Sequence, residues 1–174
     1  MKLFKEICLY LSSFIPLYFL VVVKELLEII NGNLSFNITN GVMISLNIVL
    51  IGLGLFGVFW TMKKEKYESY EIVSSKNVTR ENFLSNFALF VLFALAFELE
   101  YISMAVVYLI IICLLGIVYI KNRLFYINPF LNIIGYSIYE IQYKENNQIQ
   151  TDFAFSPTEI FTSFYRYNGF FIKR

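Results

Sequence analysis

Apolar positions fall into four long runs, at 7–23, 42–62, 83–97 and 101–120, followed by a region that alternates with period two. About 20 consecutive apolar residues in a helix cross the hydrocarbon of a bilayer. The second and fourth runs meet that length, and the first comes close to it with Lys24 able to snorkel at its end. Lys24-Glu25-Leu26-Leu27-Glu28 continues the first run helically, with Lys24 and Glu28 paired at i,i+4. This run is longer than a usual signal core and no small-x-small site follows it, so it is expected to be an uncleaved anchor. The third run is short. Asn77 or Thr79 supplies an N-cap ahead of it and Glu81 a first-turn carboxylate, so its helix is expected to begin near Thr79. Only Glu98-Leu99-Glu100 separates it from the fourth run, which predicts a tight helical hairpin.

Beyond residue 120 the pattern changes. Asn128-Pro129 places a proline at the first position of a short helix, and Gly135 suits its end. Ser137, Tyr139, Ile141 and Tyr143 then alternate with Ile138, Glu140, Gln142 and Lys144, which predicts a strand with one apolar face. A polar loop at 144–148 leads to a second alternation, Ile149, Thr151, Phe153 and Phe155 against Gln150, Asp152 and Ala154, so the two runs read as a hairpin. Asn168-Gly169 signals another hairpin between 161–167 and 170–173. Ser156-Pro157-Thr158-Glu159 resembles a capping box for a single helical turn, and Tyr70-Glu71-Ile72-Val73 is a further strand candidate. Four or five short strands are therefore expected. A unit of this size is too small to be very stable alone and should lean on the helices or on a partner.

These elements predict a membrane protein: a four-transmembrane-helix bundle (residues 1–124, with a loop at 63–82) and a small cytoplasmic β-rich C-terminal domain (125–174). Composition agrees, since 58% of the residues are hydrophobic, 19% aromatic and only 16% charged. A water-soluble domain of ordinary composition carries about 25% charged residues. Lysine and arginine orient the chain. With the N-terminus, the 63–82 loop and the tail inside, thirteen basic residues are cytoplasmic and only Lys24 is outside. Both termini are thus expected in the cytoplasm. The formal net charge of +1 gives no basic excess for nucleic acid, and histidine is absent, which removes most triads and imidazole metal sites. Cys8 and Cys113 both lie in apolar runs, so no disulfide framework is indicated.

Few motifs carry chemistry. Gly52-Leu53-Gly54-Leu55-Phe56-Gly57 matches the dinucleotide fingerprint in letters, but it lies within an apolar helix rather than after a strand. Gly52, Gly54 and Gly57 are read instead as helix-packing positions. Asn47, in the same run, is read as an interhelical hydrogen-bonding residue rather than a conduction residue. Glu98 and Glu100 form an outer turn, solvated rather than a ring that attracts cations. No lysine, arginine or carboxylate lies deep in any predicted span, which disfavours proton relays and coupled transport. Lys63, Lys64 and Lys66 are a topology signal in contact with membrane lipids and a candidate docking site for an acidic partner. Tyr143, Tyr165, Arg166 and Tyr167 join them as docking candidates, because interface hot spots favour tyrosine and arginine. No nucleophile–base pair, metal-ligand spacing or phosphate loop is found, so the chain is expected to be non-enzymatic and to need no cofactor.

The run Asn128-Pro129-Phe130-Leu131-Asn132-Ile133-Ile134-Gly135-Tyr136-Ser137-Ile138-Tyr139-Glu140-Ile141, placed directly after the fourth apolar helix, resembles KwaA, the membrane subunit of the bacterial Kiwa anti-phage system. The layout of four spans, a strand-bearing second loop and a β tail is similar as well. The resemblance implies a homo-oligomeric sensor in the bacterial inner membrane, with a tetramer as the expected assembly. It also implies a cytoplasmic DNA-binding effector subunit as partner, with no direct nucleic-acid binding by this chain. The alternative from the residues themselves is an oligomeric pore or channel-like protein, with serines and asparagines lining a wet path.

Overall fold

The computed structural model describes residues 2–32, 37–62, 67–68, 71–79, 88, 91–96, 101–122, 124–145, 148–157, 164–167 and 170–172. Its helices are α1 (Lys2–Ser13), α2 (Ile15–Ile30), α3 (Ile38–Met62), α4 (Ile102–Lys121) and the short α5 (Pro129–Ile133), with a 3-10 turn at Leu124–Tyr126. Residues 91–96 are also helical. Apart from residue 88, the remainder of the expected third span, and the Glu98–Glu100 turn, lie outside the described residues.

Among the described residues, α3 and α4 are each long and apolar enough to cross a membrane. The first apolar run departs from the single helix expected of it. It divides at Phe14 into α1 and α2, which meet at 52°. Two local causes act together. Pro16 sits in the first turn of α2 and has no N–H to return to the carbonyl of Ser12. Ser12 and Ser13 turn their hydroxyls back on the carbonyl of Leu9, at 2.6 and 3.3 Å, a contact that bends helices. As a bent pair, the two helices together still meet the length and composition of one span. Beyond the bend, Lys24 Nζ lies 4.0 Å from Glu28 Oε1, one helical turn apart.

The strands are β1 (Tyr67–Glu68), β2 (Glu71–Asn77), β3 (Ser137–Glu145), β4 (Gln148–Ser156), β5 (Phe164–Tyr167) and β6 (Phe170–Ile172). They form one sheet in the order β1-β5-β6-β4-β3-β2. The β3–β4 hairpin pairs Ser137 with Ser156 and Glu145 with Gln148. Tyr167 opposite Phe170 closes the second hairpin around Asn168-Gly169. The two hairpins join through β4 and β6, which run parallel. Of the expected helical turn at 156–159, Ser156 is the last residue of β4, and Thr158 and Glu159 lie outside the described residues.

The strand candidate at 70–73 becomes the longer β2, which pairs antiparallel with β3. Val78 N–H donates to the carbonyl of Ile138 at 3.0 Å, and Ile138 N–H donates to Thr79 Oγ1 at 2.9 Å, so the 63–82 loop and the tail share one sheet.

Burial corrects the expectation of one apolar face on β3. Tyr139, Ile141, Tyr143 and Ala154 form a small cluster with Ile72. Ile138, on the opposite parity, is also buried, and with Phe155 it joins the main core of the helices. The larger hydrophobic core thus runs from Leu9 and Tyr18 through Leu131 into the sheet. Burial fades toward the hairpin tip, where Ile149 is 62% exposed.

Candidate functional site

The densest set of buried polar groups lies at the bend between α1 and α2. Every residue from Cys8 to Ser13 in α1 is buried, and burial continues through Tyr18 in α2. α1 lies against α3 because glycine permits the approach. A Cβ on Gly54 would stand 3.0 Å from the Cα of Ser12, and one on Gly57 would stand 2.5 Å from the Cβ of Cys8. Gly52 is exposed and no described residue lies within 4 Å of its Cβ position, so among the described residues it makes no such contact. Gly116 of α4 receives the ring of Tyr10, whose hydroxyl donates to the carbonyl of Ile112.

Around the bend the hydroxyls form a connected set. Tyr119 of α4 donates its hydroxyl proton to the carbonyl of Ile127 at 2.8 Å, so the one proton of Ser13 Oγ is shared between the Tyr119 oxygen and the carbonyl of Leu9. Asn128 Nδ2 donates to Ser12 Oγ at 2.8 Å, while Asn128 Oδ1 accepts from the N–H of Leu131 at 3.2 Å. Asn128 is therefore the N-cap of α5 and its tether to α1 at once. Pro129 follows at the first helical position, and Gly135, at φ +97°, adopts the left-handed conformation just beyond the helix end. Phe14 sits among Tyr10, Tyr18 and Tyr119, with ring centroids at 5.0, 6.5 and 6.4 Å. Tyr126 stacks on Phe153 at 4.0 Å and so joins the 3-10 turn to β4.

Deeper along α2, Tyr18 is fully buried, and its hydroxyl has no hydrogen-bond partner among the described residues. Such a group costs about 1–3 kcal/mol. Nearby on α3, Asn47 accepts from the hydroxyl of Tyr108 at 2.7 Å and donates to the carbonyl of Met43 at 2.9 Å, so it does bond between helices. Glu25 of α2 is only 2% exposed and Asn40 of α3 is fully buried. The sequence marks neither as special, because Glu25 sits in what reads as a helical continuation of the first apolar run.

The docking candidates fare differently. Tyr143 is 1% exposed and directs its hydroxyl to Gln150 Oε1 at 3.1 Å, so it is a sheet-core residue and not a surface one. Alternation had marked its ring as apolar without saying that the opposite side would be covered. Tyr165, Arg166 and Tyr167 occupy β5, opposite Ile172, Phe171 and Phe170. Their side chains, and Lys63, Lys64 and Lys66 altogether, lie outside the described residues, as do Glu98 and Glu100. Cys8 and Cys113 are both free thiols. Among the described residues no group of His, Cys, Asp or Glu is spaced to hold a metal ion.

Sequence reasoning missed the Ser12–Ser13–Tyr119–Asn128 constellation. Its signal was present as Ser-Ser-Phe-Ile-Pro inside an apolar run, where a proline leaves a carbonyl unserved, and as Asn-Pro at the opening of α5. What no spacing reveals is that these segments, more than a hundred positions apart, meet.

No curated protein and no solved structure matches the chain. The family model for anti-phage protein KwaA matches residues 5–163, from within α1 to just short of β5. That match takes in the bend, its polar contacts, the Asn128–Gly135 segment and most of the sheet, and by it the chain belongs to the KwaA family of anti-phage proteins.

Proposed function

We propose that, within the anti-phage defence its family implies, this chain is a non-enzymatic sensor and scaffold of the bacterial inner membrane. It spans the bilayer four times with both termini inside, assembles with copies of itself, and presents its sheet to a cytoplasmic DNA-binding effector subunit. The observation that carries this reading is the continuity of the core. Tyr18 and Leu17 of the bent segment and Phe155 and Ile138 of the sheet belong to one hydrophobic cluster, so the sheet is seated on the helices rather than tethered to them. A seated sheet can report on the state of the helices, whereas a flexibly linked one would not. The absence of histidine supports a role in coupling over one in catalysis.

Co-purification of the full chain from its native host, before and after phage challenge, tests partner and assembly together. Recovery of a soluble partner with an oligomer of this chain is the expected result. Dye leakage and growth arrest on expression of this chain alone, with no partner recovered, would overturn it in favour of a pore.

A further inference from the structure

The bend in the first apolar segment and the seat of the sheet are held by the same contacts. Ser12 and Ser13 are the last two residues of α1; Ser12 bonds to the connection that leads from α4 into α5, and Ser13 to the last turn of α4 itself. Asn128 holds Ser12 at 2.8 Å, and Tyr119 joins Ser13 to the carbonyl of Ile127. The helix α5 straddles the bend, touching α1 on one side and α2 on the other, and it also touches β3. A short rigid helix in contact with both arms of a bend cannot keep both contacts if the angle between the arms changes. One rung of the backbone ladder is missing at that angle, because Pro16 offers no N–H to the carbonyl of Ser12, and the bonds left at Phe14 run from its N–H to Leu11 and from Tyr18 to its carbonyl. Nor is the far arm fully satisfied where it stands, since the buried hydroxyl of Tyr18 has no hydrogen-bond partner among the described residues.

We propose that the Ser12–Ser13–Tyr119–Asn128 clasp is a conformational coupler: a change of angle between α1 and α2 unseats α5, and with it the membrane-proximal end of β3. The bend is then the movable part through which an event in the bilayer reaches the cytoplasmic face. This rests on the sensor reading above and names the route by which such a sensor would transmit. Coupling of this kind is reciprocal, so a perturbation at either end must register at the other.

The test uses the full chain in phospholipid nanodiscs, without phage or partner, so that it succeeds or fails independently of effector recruitment. Two readouts are taken: hydrogen exchange of the amides of Leu131, Tyr136 and Ile138, and the distance between spin labels on unnatural amino acids at the exposed positions Leu3 and Leu27. Pro16→Ala acts on the bend by restoring the missing donor. Tyr119→Phe acts on the clasp, keeping the ring and removing the hydroxyl. Each variant is expected to speed exchange at the three amides by about tenfold, roughly the loss of one buried hydrogen bond, and to shift the label distance, while exchange in α4 from Ala105 to Gly116 stays as in the parent. Exchange within about twofold of the parent in Pro16→Ala, whatever its label distance, overturns the proposal, being below the change one such bond supports. So does a Tyr119→Phe chain whose exchange rises while its arms keep their distance, because the hydroxyl would then be only a local support.

Discussion

Residues 8–18 and the helix α4 both lie within long apolar runs, yet they do opposite work. In α4 a single stripe, Ala105, Tyr108, Ile112, Gly116 and Tyr119, is buried, while Val106, Ile110, Leu114 and Ile117 around it are exposed. In the first stretch every residue is buried, on both sides of the bend. Under the membrane reading proposed above, α4 offers most of its surface to lipid and the bent segment is the centre of the protein. An apolar run by itself does not say which of the two is covered by protein, because lipid and protein core are both apolar. The difference lies in the small and polar residues: glycines on α3 and α4 that let the first segment in close, and serines that bind it to the tail.

The largest effect should come from filling the closest approach. Gly57→Leu drives side-chain atoms into the backbone of Cys8 and is expected to cost about 3 kcal/mol, seen as a much lower unfolding midpoint in detergent. Gly52→Leu, in the same motif but facing open space, is its internal control, and an equal loss there would erase the contrast between core and exposed faces.

Next in size is the tether. Asn128→Ala removes the cap of α5 and its bond to Ser12 together, for an expected loss of about 1–2 kcal/mol in denaturant titration. Asn128→Asp keeps the cap's acceptor but not the donor to Ser12, so it separates the two contributions.

The third prediction has the opposite sign. Tyr18→Phe deletes a buried hydroxyl that has no partner among the described residues and should raise the unfolding free energy by about 1 kcal/mol. A loss of stability instead would mean that the hydroxyl is satisfied in the assembled protein, by water or by another copy of the chain. The smallest effect belongs to the exposed face of α4, where Leu114→Ala should stay within about 0.5 kcal/mol of the parent in the same assay.

Much of the architecture was legible before any coordinates. Asn128-Pro129 and Gly135 bracket α5 because capping chemistry is local, and Asn168-Gly169 marks the second hairpin because two-residue hairpin connections favour that dipeptide. Period two located β3 and β4 for the same reason, since it acts over a few residues at a time. Glycine spacing drew attention to Gly54 and Gly57, but it could not separate them from Gly52, whose neighbours are a matter of which helix lies opposite. Tyr143 was misjudged on the same ground. A ring on a strand looks available until the other elements arrive to cover it.

The chain by itself determined where its apolar runs, turns and strands lie, and how its charges divide between loops, because those properties are written in adjacent residues and in their periodicity. Only the tertiary structure decided which apolar run would be the centre and which the outer surface. It alone joined β2 to β3 and carried Asn128 to Ser12. The physical reason is that burial and hydrogen bonding between distant segments depend on what each side chain meets, and that partner is chosen by the packing of the whole chain.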